Sequence, residues 1–263
     1  MIQKIGLALG AGGAKGLAHI GVLQVLEREG IPLDIITGSS MGAAIGSFYA
    51  AGADLEVMAK LAGQLDNSYL IDLAIPKLGL IKGRKAHALI RLMTHNKNFS
   101  QMKVPLGIVA TDLQSGQRVV FQEGNVADAV RASIAVPGVV EPFCLEGKML
   151  VDGAVTDRVP AKLAKEMGAD IVIAVDLQYF TKENPKINNI YDVIIHSIEL
   201  LEKRVSNYYA DYASIVIKPK VCDYSWTDFA DAPQLIKIGQ QACEEVIEDI
   251  RRVIVVKSEK VKK

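Results

Sequence analysis

Apolar and polar positions follow two different spacing patterns along the first half of the chain. "KIGLALG" (residues 4–10) and "DIIT" (34–37) are short apolar runs bounded by turn-forming residues, as strands are. Residues 14–30 instead repeat apolar side chains at the three- and four-residue spacing of a helix that ends at Gly30. Further helices are predicted at 43–52 and from about Asp54 to Leu65, so strands and helices alternate.

The second half continues this alternation. Helices are predicted near 85–94, at 125–138, at 161–168, at 189–212 and from about Pro233 onward, and strands at 105–113, 118–122, 148–155, 169–177 and 214–219. Strands that are apolar throughout are typical of a parallel sheet covered by helices on both faces. We expect one α/β domain over residues 1–263, with a mainly parallel sheet, a core at about 5–200 and a helical extension at about 233–263.

Residues 66–84, "DNSYLIDLAIPKLGLIKGR", are rich in Leu and Ile but follow no clean period. Pro76, Gly79 and Gly83 interrupt any regular element. Such a segment can be a lid or a wall of a binding site, and it can equally be a loop packed on the core. Both interpretations stay open at the level of sequence.

Composition excludes several functions. The 263 residues are 50% hydrophobic and carry 30 basic and 30 acidic side chains, so there is no basic excess of the kind that binds nucleic acid. Three scattered cysteines (Cys144, Cys222, Cys243) suit neither a disulfide framework nor a zinc site. We expect no metal and no cofactor, and composition leaves the oligomeric state open.

No apolar stretch approaches the ~20 residues that a transmembrane helix needs. The N-terminus resembles a short signal peptide, but glycines interrupt it as they would a strand and loop. We therefore expect a cytoplasmic protein. The tail "KSEKVKK" contains four lysines, which would allow peripheral, transient contact with an anionic membrane surface.

The turn after "DIIT" has the pattern G-x-S-x-G. Gly38 and Gly42 flank it and Ser40 takes the central position. In a nucleophile elbow the serine sits on a strained strand-to-helix turn, and small neighbours prevent clashes with the backbone. The spacing selects Ser40 over Ser39 as a candidate nucleophile.

A second glycine-rich loop, "GAGGAKG" (10–16), joins the first strand to the first helix. Its amides, at a helix N-terminus, could bind a phosphate or the oxyanion of a tetrahedral intermediate. A Walker loop would need glycine directly before Lys15 and Ser or Thr after it. A dinucleotide fingerprint begun at Gly10 and Gly12 would need a glycine where Lys15 stands. The loop therefore comes close to both nucleotide-binding motifs but matches neither.

Asp152 and Gly153 end their own apolar strand. Because the carboxyl ends of parallel strands meet at one edge, we expect Asp152, Ser40 and the Gly12–Gly13 loop to lie together. A nucleophile, a carboxylate and amide donors form the layout for acyl transfer. The alternative for Asp152 is a turn or helix cap, since Asp-Gly is common in turns.

Histidine is the missing member of a hydrolase triad. His196 follows Asp152 and gives the order Ser, Asp, His of an α/β-hydrolase, but it lies within a predicted long helix. We interpret His19 as a packing residue and His87 and His95 as surface residues. An ionised Asp152 could instead take the Ser40 proton directly.

These loops together resemble the patatin-like phospholipases, in the bacterial group related to neuropathy target esterase. The resemblance rests on "GAGGAKGLAHIGVLQVLEREGI" and "ITGSSMGA", and then on "ASIAVPGVVEPF" and "LVDGAVTDRVP", between about residues 5 and 200. It implies a three-layer α/β/α sandwich and hydrolysis of lipid acyl esters by a Ser-Asp dyad.

By position, the resemblance implies Ser40 as nucleophile, Asp152 as general base, and the amides of Gly12 and Gly13 as the oxyanion hole. The supporting motif positions are Gly10, Lys15, Gly16, Gly38, Gly42 and Gly153. Two positions depart from the family pattern: Ala11 stands where a glycine is usual, and Arg158 where asparagine is frequent.

Three functions follow from the sequence. The first is a serine hydrolase acting on a lipid or simpler ester. The second is a nucleotide- or phosphate-binding protein in which Ser40 is structural, and the third is a catalytically silent interaction module. The apolar segment 66–84 favours an acyl chain as part of the ligand, without specifying its length or head group.

Overall fold

A computed structural model describes residues 3–260 apart from 66–67, 69, 74–76, 179–186, 188–189 and 228. For residues 191, 202–208 and 256–260 it describes the backbone alone. Within this part of the chain, eight strands form one sheet: β1 (Ile5–Leu9), β2 (Ile35–Ser39), β3 (Leu106–Asp112), β4 (Arg118–Phe121), β5 (Phe143–Leu145), β6 (Lys148–Asp152), β7 (Ile171–Val175) and β8 (Ile215–Ile217).

Hydrogen-bonded pairs connect the strands as β5-β6-β3-β2-β1-β7-β8, and β4 also pairs with β3. The run from β3 to β8 is parallel, as the apolar strands predict. The other pairs, β3 with β4, β3 with β6 and β5 with β6, are antiparallel. The sheet is therefore mixed, and β5, only three residues long, is too short to stand out as a pattern in the sequence.

The helices of the described chain are α1 (Ala18–Arg28), α2 (Met41–Ala51), α3 (Leu55–Gly63), α4 (Arg84–Met93), α5 (Val126–Ser133), α6 (Ala161–Glu166), α7 (Ile190–Val205), α8 (Ala232–Glu244) and α9 (Ile247–Lys260). A short 3₁₀ helix, Gly13–Leu17, precedes α1.

Alternate residues of β1 belong to two different cores, which places helices on both faces of the sheet. Leu7 and Leu9 join the larger core with α1, α2, α5 and α8. Ala8 joins a smaller core with α6 and Val172. This arrangement confirms the predicted α/β/α sandwich.

Several predicted helix boundaries were wrong. The helix predicted at 125–138 ends at Ser133, and the chain then turns at Gly138, whose φ is 76°. The helix predicted at 189–212 is α-helical to Val205 and continues as a 3₁₀ helix over Ser206–Asp211. The single closing helix predicted from Pro233 is two helices, because the chain turns between Glu244 and Ile247 and places Val246 against the core.

The ends of β2 and β6 meet beside β3. β2 pairs with β3 over residues 106–109 and β6 pairs with it over 110–112, while β4 pairs with residues 108–111. A strand has one partner on each side, so β2 and β6 share the side that β4 leaves. Because β2 runs parallel and β6 antiparallel to β3, their carboxyl ends face each other, with Ser39 beside Val109 and Asp152 beside Ala110.

The predicted lid-like segment at 66–84 is described in part, and residues 66–67, 69 and 74–76 lie outside the described chain. In the remainder, Leu73 bridges to Ile81 and Ile81 bridges to Val140. The Asp72 carboxylate accepts the backbone N–H groups of Gly83 (2.9 Å) and Arg84 (3.1 Å) at the start of α4. Residues 80–83 are thus tied to the body of the protein.

Candidate functional site

Ser40 lies in a strained turn between β2 and α2. Its φ and ψ are 52° and −122°, which places a residue with a Cβ in a region that usually requires glycine. The backbone N–H of Ser40 donates to Ser133 Oγ at 2.8 Å and fixes the turn. Gly42 is required here, since a Cβ on it would lie 2.1 Å from the Leu9 carbonyl oxygen.

The Ser40 hydroxyl donates to Asp152 Oδ2 at 2.6 Å. The second carboxylate oxygen, Oδ1, accepts the Ala154 N–H at 2.9 Å. Both side chains are buried, with 6% of Ser40 and 3% of Asp152 exposed. Burial raises the pKa of the Asp152 carboxyl to about 6, although the two hydrogen bonds favour its ionised form.

The contact between Ser40 and Asp152 arises from the facing ends of β2 and β6, and not from a shared parallel edge. The expectation that parallel strands bring these residues together was wrong in its reason, because β6 is antiparallel. Gly153 follows at the junction, where a Cβ would lie 2.2 Å from the Val109 carbonyl oxygen and 2.7 Å from Ser39 Oγ. Only a glycine fits between the two strand ends.

Three backbone amides of the loop at residues 10–16 are bonded to carbonyls of distant segments. The N–H groups of Gly10, Ala11 and Ala14 donate to the carbonyls of Val175, Arg158 and Trp226 at 3.1, 3.0 and 2.7 Å. Among the described residues, no acceptor is found for the amides of Gly12 and Gly13. These two residues and Ser40 line the same cavity.

Ala11 and Arg158, the two departures from the family pattern, lie together. Ala11 is buried and hydrogen-bonded to the Arg158 carbonyl, so its methyl group is accommodated. The Arg158 side chain forms a buried ion pair with Asp176, which also accepts the Tyr209 hydroxyl at 2.5 Å. Arg158 therefore connects the segment that receives the loop to the end of β7.

The other motif positions surround the same turns. Lys15 lines the cavity, and its Nζ lies 3.8 Å from Glu199 Oε1 on α7. Gly16 faces the Met41 side chain at the start of α2, and Gly38 faces the Ala43 backbone.

None of the four histidines lines this cavity. His196 lies on α7 with its Nδ1 3.5 Å from Glu199 Oε2, so the structure does not bring it to Ser40. His95 is exposed, as predicted. His87 is partly buried, contrary to the prediction, because its ring packs edge-on against Phe143 of the unpredicted strand β5.

His19 is buried and supports the glycine-rich loop. Its Nε2 lies 2.8 Å from the Gly10 carbonyl oxygen, which can only accept, so this nitrogen carries the proton. Burial lowers the pKa of His19 to about 4, and the ring is therefore neutral at pH 7. Sequence reasoning correctly identified a packing histidine but missed its bond to the loop.

A cavity of about 590 Å³ opens beside Ser40 and Asp152. Its wall is predominantly apolar and is built by α2, α3, α4, α7 and the residues around Ile71 and Leu73. Polar side chains, among them Lys15, Asp192 and Glu199, occupy one part of the wall. Such a space suits a ligand with a long apolar portion.

Two features of the site carry no sequence signal. Ser133 holds the Ser40 turn from the end of α5, 93 positions away. Asp176 pairs with Arg158 from the end of β7. Within the described chain, no cluster of three or more His, Cys, Asp or Glu side chains is arranged to hold a metal ion, and no helix combines the length and apolar content needed to cross a bilayer.

The family described as patatin-like phospholipase matches residues 7–165, more than half of the chain. An uncharacterized NTE family protein of Mycobacterium tuberculosis is 40% identical over 176 residues, covering 66% of this chain and 49% of that protein. Lysophospholipase nte1 of Aspergillus fumigatus is 33% identical over 191 residues, covering 70% of this chain and 12% of that protein. The matched region thus spans half or less of these relatives.

Two solved structures share the fold. VipD from Legionella pneumophila superimposes with a TM-score of 0.66 at 14% identity, covering 95% of this chain and 67% of that one. The type III effector protein ExoU gives a TM-score of 0.54, also at 14% identity, covering 95% of this chain and 53% of that one. At such low identity the similarity concerns the fold alone.

Proposed function

Because the chain belongs to the patatin-like phospholipase family, we propose that it is a serine acyl hydrolase that cleaves carboxylic esters of lipids. The hydrogen bond of 2.6 Å between Ser40 Oγ and Asp152 Oδ2, beside a largely apolar cavity, carries this proposal. The relative named lysophospholipase nte1 supports a lipid ester as substrate.

In the first half of the reaction, Asp152 acts as general base. Its Oδ2 takes the hydroxyl proton while Ser40 Oγ attacks the ester carbonyl carbon, and a tetrahedral oxyanion forms. The protonated Asp152 then gives that proton to the departing alcohol as the carbon–oxygen bond to it breaks. The acyl group remains on Ser40 as an ester.

In the second half, water replaces the alcohol. Asp152 takes a proton from the water while the water oxygen attacks the acyl carbon. Asp152 then gives this proton to Ser40 Oγ when the acyl–enzyme bond breaks. The products are a free carboxylic acid and the restored serine. No histidine is needed, in keeping with the cavity wall.

The amides of Gly12 and Gly13 would bind the oxyanion in both halves. No acceptor for them is found among the residues that the structure describes, and both residues line the cavity with Ser40. The first turn of α2 adds its positive end next to Ser40. With three other amides of the loop already bonded to carbonyls, we favour an oxyanion here over a nucleotide phosphate.

A fluorophosphonate probe tests the nucleophile. We expect it to label the wild-type chain at Ser40, and labelling and ester hydrolysis to be lost in Ser40→Ala. Ser39→Ala is the matched control and should keep both, since Ser39 Oγ is buried and has no hydrogen-bond partner within the described part of the chain. Asp152→Asn should lower kcat by about 10²-fold or more, as for other positioned bases.

The opposite pattern would reject the proposal. Full turnover by Asp152→Asn with loss on replacing His196 would point to a triad. Absence of labelling together with thermal stabilisation by a nucleotide would favour the phosphate-binding alternative. A well-folded chain inert to every ester would indicate an interaction module.

We place this activity in the cytoplasm as part of the proposal. Cys144, Cys222 and Cys243 are all free thiols, and Cys144 is exposed. A reducing compartment preserves exposed thiols.

A further inference from the structure

Exposed apolar side chains are concentrated on the segments that build the cavity wall. Nine of the thirteen large apolar residues that are well exposed in the described chain lie on or next to three of these segments: Ile71, Leu73, Leu78, Val155, Ile187, Ile190, Val193, Leu200 and Leu201. Ile71, Leu73 and Val155 also form part of the cavity wall. Single exposed apolar residues are ordinary, but a cluster marks a binding surface.

Helix α7 is apolar on the side that faces solvent. Its exposed positions recur at helical spacing as Ile190, Val193, Ser197, Leu200 and Leu201, with Ile190 at 64% and Leu201 at 66% exposure. The opposite side contributes Ile195, Ile198 and Glu199 to the cavity wall. One side of α7 thus lines the cavity while the other is an apolar stripe that the described chain leaves exposed.

The segment on the other side of the cavity combines apolar and basic residues. Residues 77–85, "KLGLIKGRK", expose Leu78 at 60%, and Lys77, Arg84 and Lys85 are exposed beside it. Residues 73–85 contain four Lys and Arg and no Asp or Glu, in a chain whose basic and acidic residues balance at 30 each. The carboxylate of the neighbouring Asp72 accepts two backbone N–H groups. Positive charge is therefore concentrated next to the exposed apolar side chains.

We propose that residues 71–73 and 77–85 together with the exposed stripe of α7, here called the mouth surface, dock the protein onto a negatively charged lipid bilayer. Apolar side chains would enter the acyl boundary while Lys77, Arg84 and Lys85 meet anionic head groups. A protein seated there would cover the cavity that an acyl chain must enter, which argues for lipid as the occupant. The purpose of docking rests on the proposed function, but the docking itself can be measured without catalysis.

Vesicle co-sedimentation of the full chain carrying Ser40→Ala tests the surface, because this variant cannot hydrolyse the vesicles. We expect binding to phosphatidylcholine vesicles to strengthen at least about tenfold when phosphatidylglycerol is mixed in, since each basic residue near an anionic surface adds attraction. Added salt should remove this difference.

Paired variants separate the two contributions. Leu78→Ser with Leu201→Ser should weaken binding to both kinds of vesicle by about tenfold or more, because two exposed leucines no longer enter the bilayer. Lys77→Glu with Arg84→Glu should weaken binding only to the vesicles that contain phosphatidylglycerol. Neither pair lines the cavity, so both should keep wild-type turnover of a water-soluble ester when Ser40 is present.

Two control pairs match these changes away from the mouth surface. Leu113→Ser with Val255→Ser removes apolar side chains that are also at least half exposed, and Lys237→Glu with Arg252→Glu makes the same change of charge on α8 and α9. We expect both to bind as the parent does. Should Leu78→Ser with Leu201→Ser fail to fold, Ile190→Ser with Leu200→Ser tests the same surface.

The proposal is overturned if the parent binds neither kind of vesicle, or if the control pairs lose as much binding as the mouth-surface pairs. Concentration-dependent self-association that Leu78→Ser with Leu201→Ser abolishes, without vesicle binding, would assign the surface to a second copy of the chain. Fluorophosphonate labelling at Ser40 without vesicle binding would reject docking and leave the proposed function standing. Vesicle binding without labelling at Ser40 would reject the proposed function and leave docking standing.

Discussion

Burial makes the Asp152 carboxylate a stronger base, and its charge lowers the free energy of unfolding. Its folded pKa of about 6 lies above the ordinary value of 3.8 because burial disfavours the charged form. Between these values the folded protein binds more protons than the unfolded chain, so stability falls as the pH rises through that range. Above pH 6 the full penalty applies, on the order of 3 kcal/mol for a shift from 3.8 to about 6.

We therefore expect Asp152→Asn to raise the free energy of unfolding at pH 8 by up to about 3 kcal/mol, because the amide is neutral but can still accept the Ala154 N–H. The gain should shrink as the pH falls from 6 toward 4, where Asp152 becomes protonated in the folded protein. Chemical denaturation across this pH range measures it.

Asp112→Asn is a control that should change stability in the opposite direction. Hydrogen bonds from Ser115 and the Gln114 amide lower the pKa of Asp112, so its replacement should reduce stability at neutral pH. Equal stability of wild type and Asp152→Asn at pH 8 would contradict the penalty inferred for Asp152.

Two glycines let α1 and α8 touch along their backbones. A Cβ on Gly21 would lie 1.9 Å from the Ile236 carbonyl oxygen, and one on Gly239 would lie 1.9 Å from the Ala18 carbonyl oxygen. The contact fixes α8 on α1, which directly follows the glycine-rich loop. Packing of α8 therefore helps to hold the element that follows the loop of the candidate site.

We expect Gly239→Ala to lower the free energy of unfolding by about 1–3 kcal/mol, as overpacking does, because the helices must move apart. Gly63→Ala is the matched control. Its added Cβ would lie 3.8 Å from Pro233 Cγ, an ordinary van der Waals contact, so higher helix propensity should leave the protein as stable or up to about 1 kcal/mol more stable. Thermal or urea denaturation distinguishes the two, and equal effects would refute the close contact.

Helices α2, α3, α4 and α7 border an apolar space that Ser40 and Asp152 also line. Ala62 on α3 lines that space, whereas Ala59, one turn earlier on the same helix, does not. If the cavity holds the acyl chain, filling it should exclude long chains before it affects short ones.

Ala62→Phe should therefore raise KM for a long-chain ester by about tenfold, the order expected when several buried methylene groups lose their contacts, and leave turnover of a short-chain ester nearly unchanged. Ala59→Phe should not discriminate between the two esters. Equal losses on both esters for Ala62→Phe would place the acyl chain elsewhere.

The sequence was sufficient to predict the fold class and to select Ser40, Asp152 and the loop at residues 10–16 as candidates. Their roles stay predictions, but the structure brings Ser40 and Asp152 into contact. Strand direction was not accessible, because the connections around β4 and β6 permit either sense and apolar strands look alike in both. The bonds from Ser133 and His19 were also missed, since they depend on where distant elements pack.

The segment that the family model matches is shorter than the segment that must fold together, because amides of the glycine-rich loop bond to the carbonyls of Val175 and Trp226. The family match stops at residue 165, yet Gly10 and Ala14 donate to carbonyls beyond it, and β7 is an interior strand that pairs with both β1 and β8. A fragment cut where the match ends would retain both Ser40 and Asp152 while losing the partners that hold the neighbouring loop. The boundary for expression and for engineering is therefore set by hydrogen-bond partners, and it lies past residue 226.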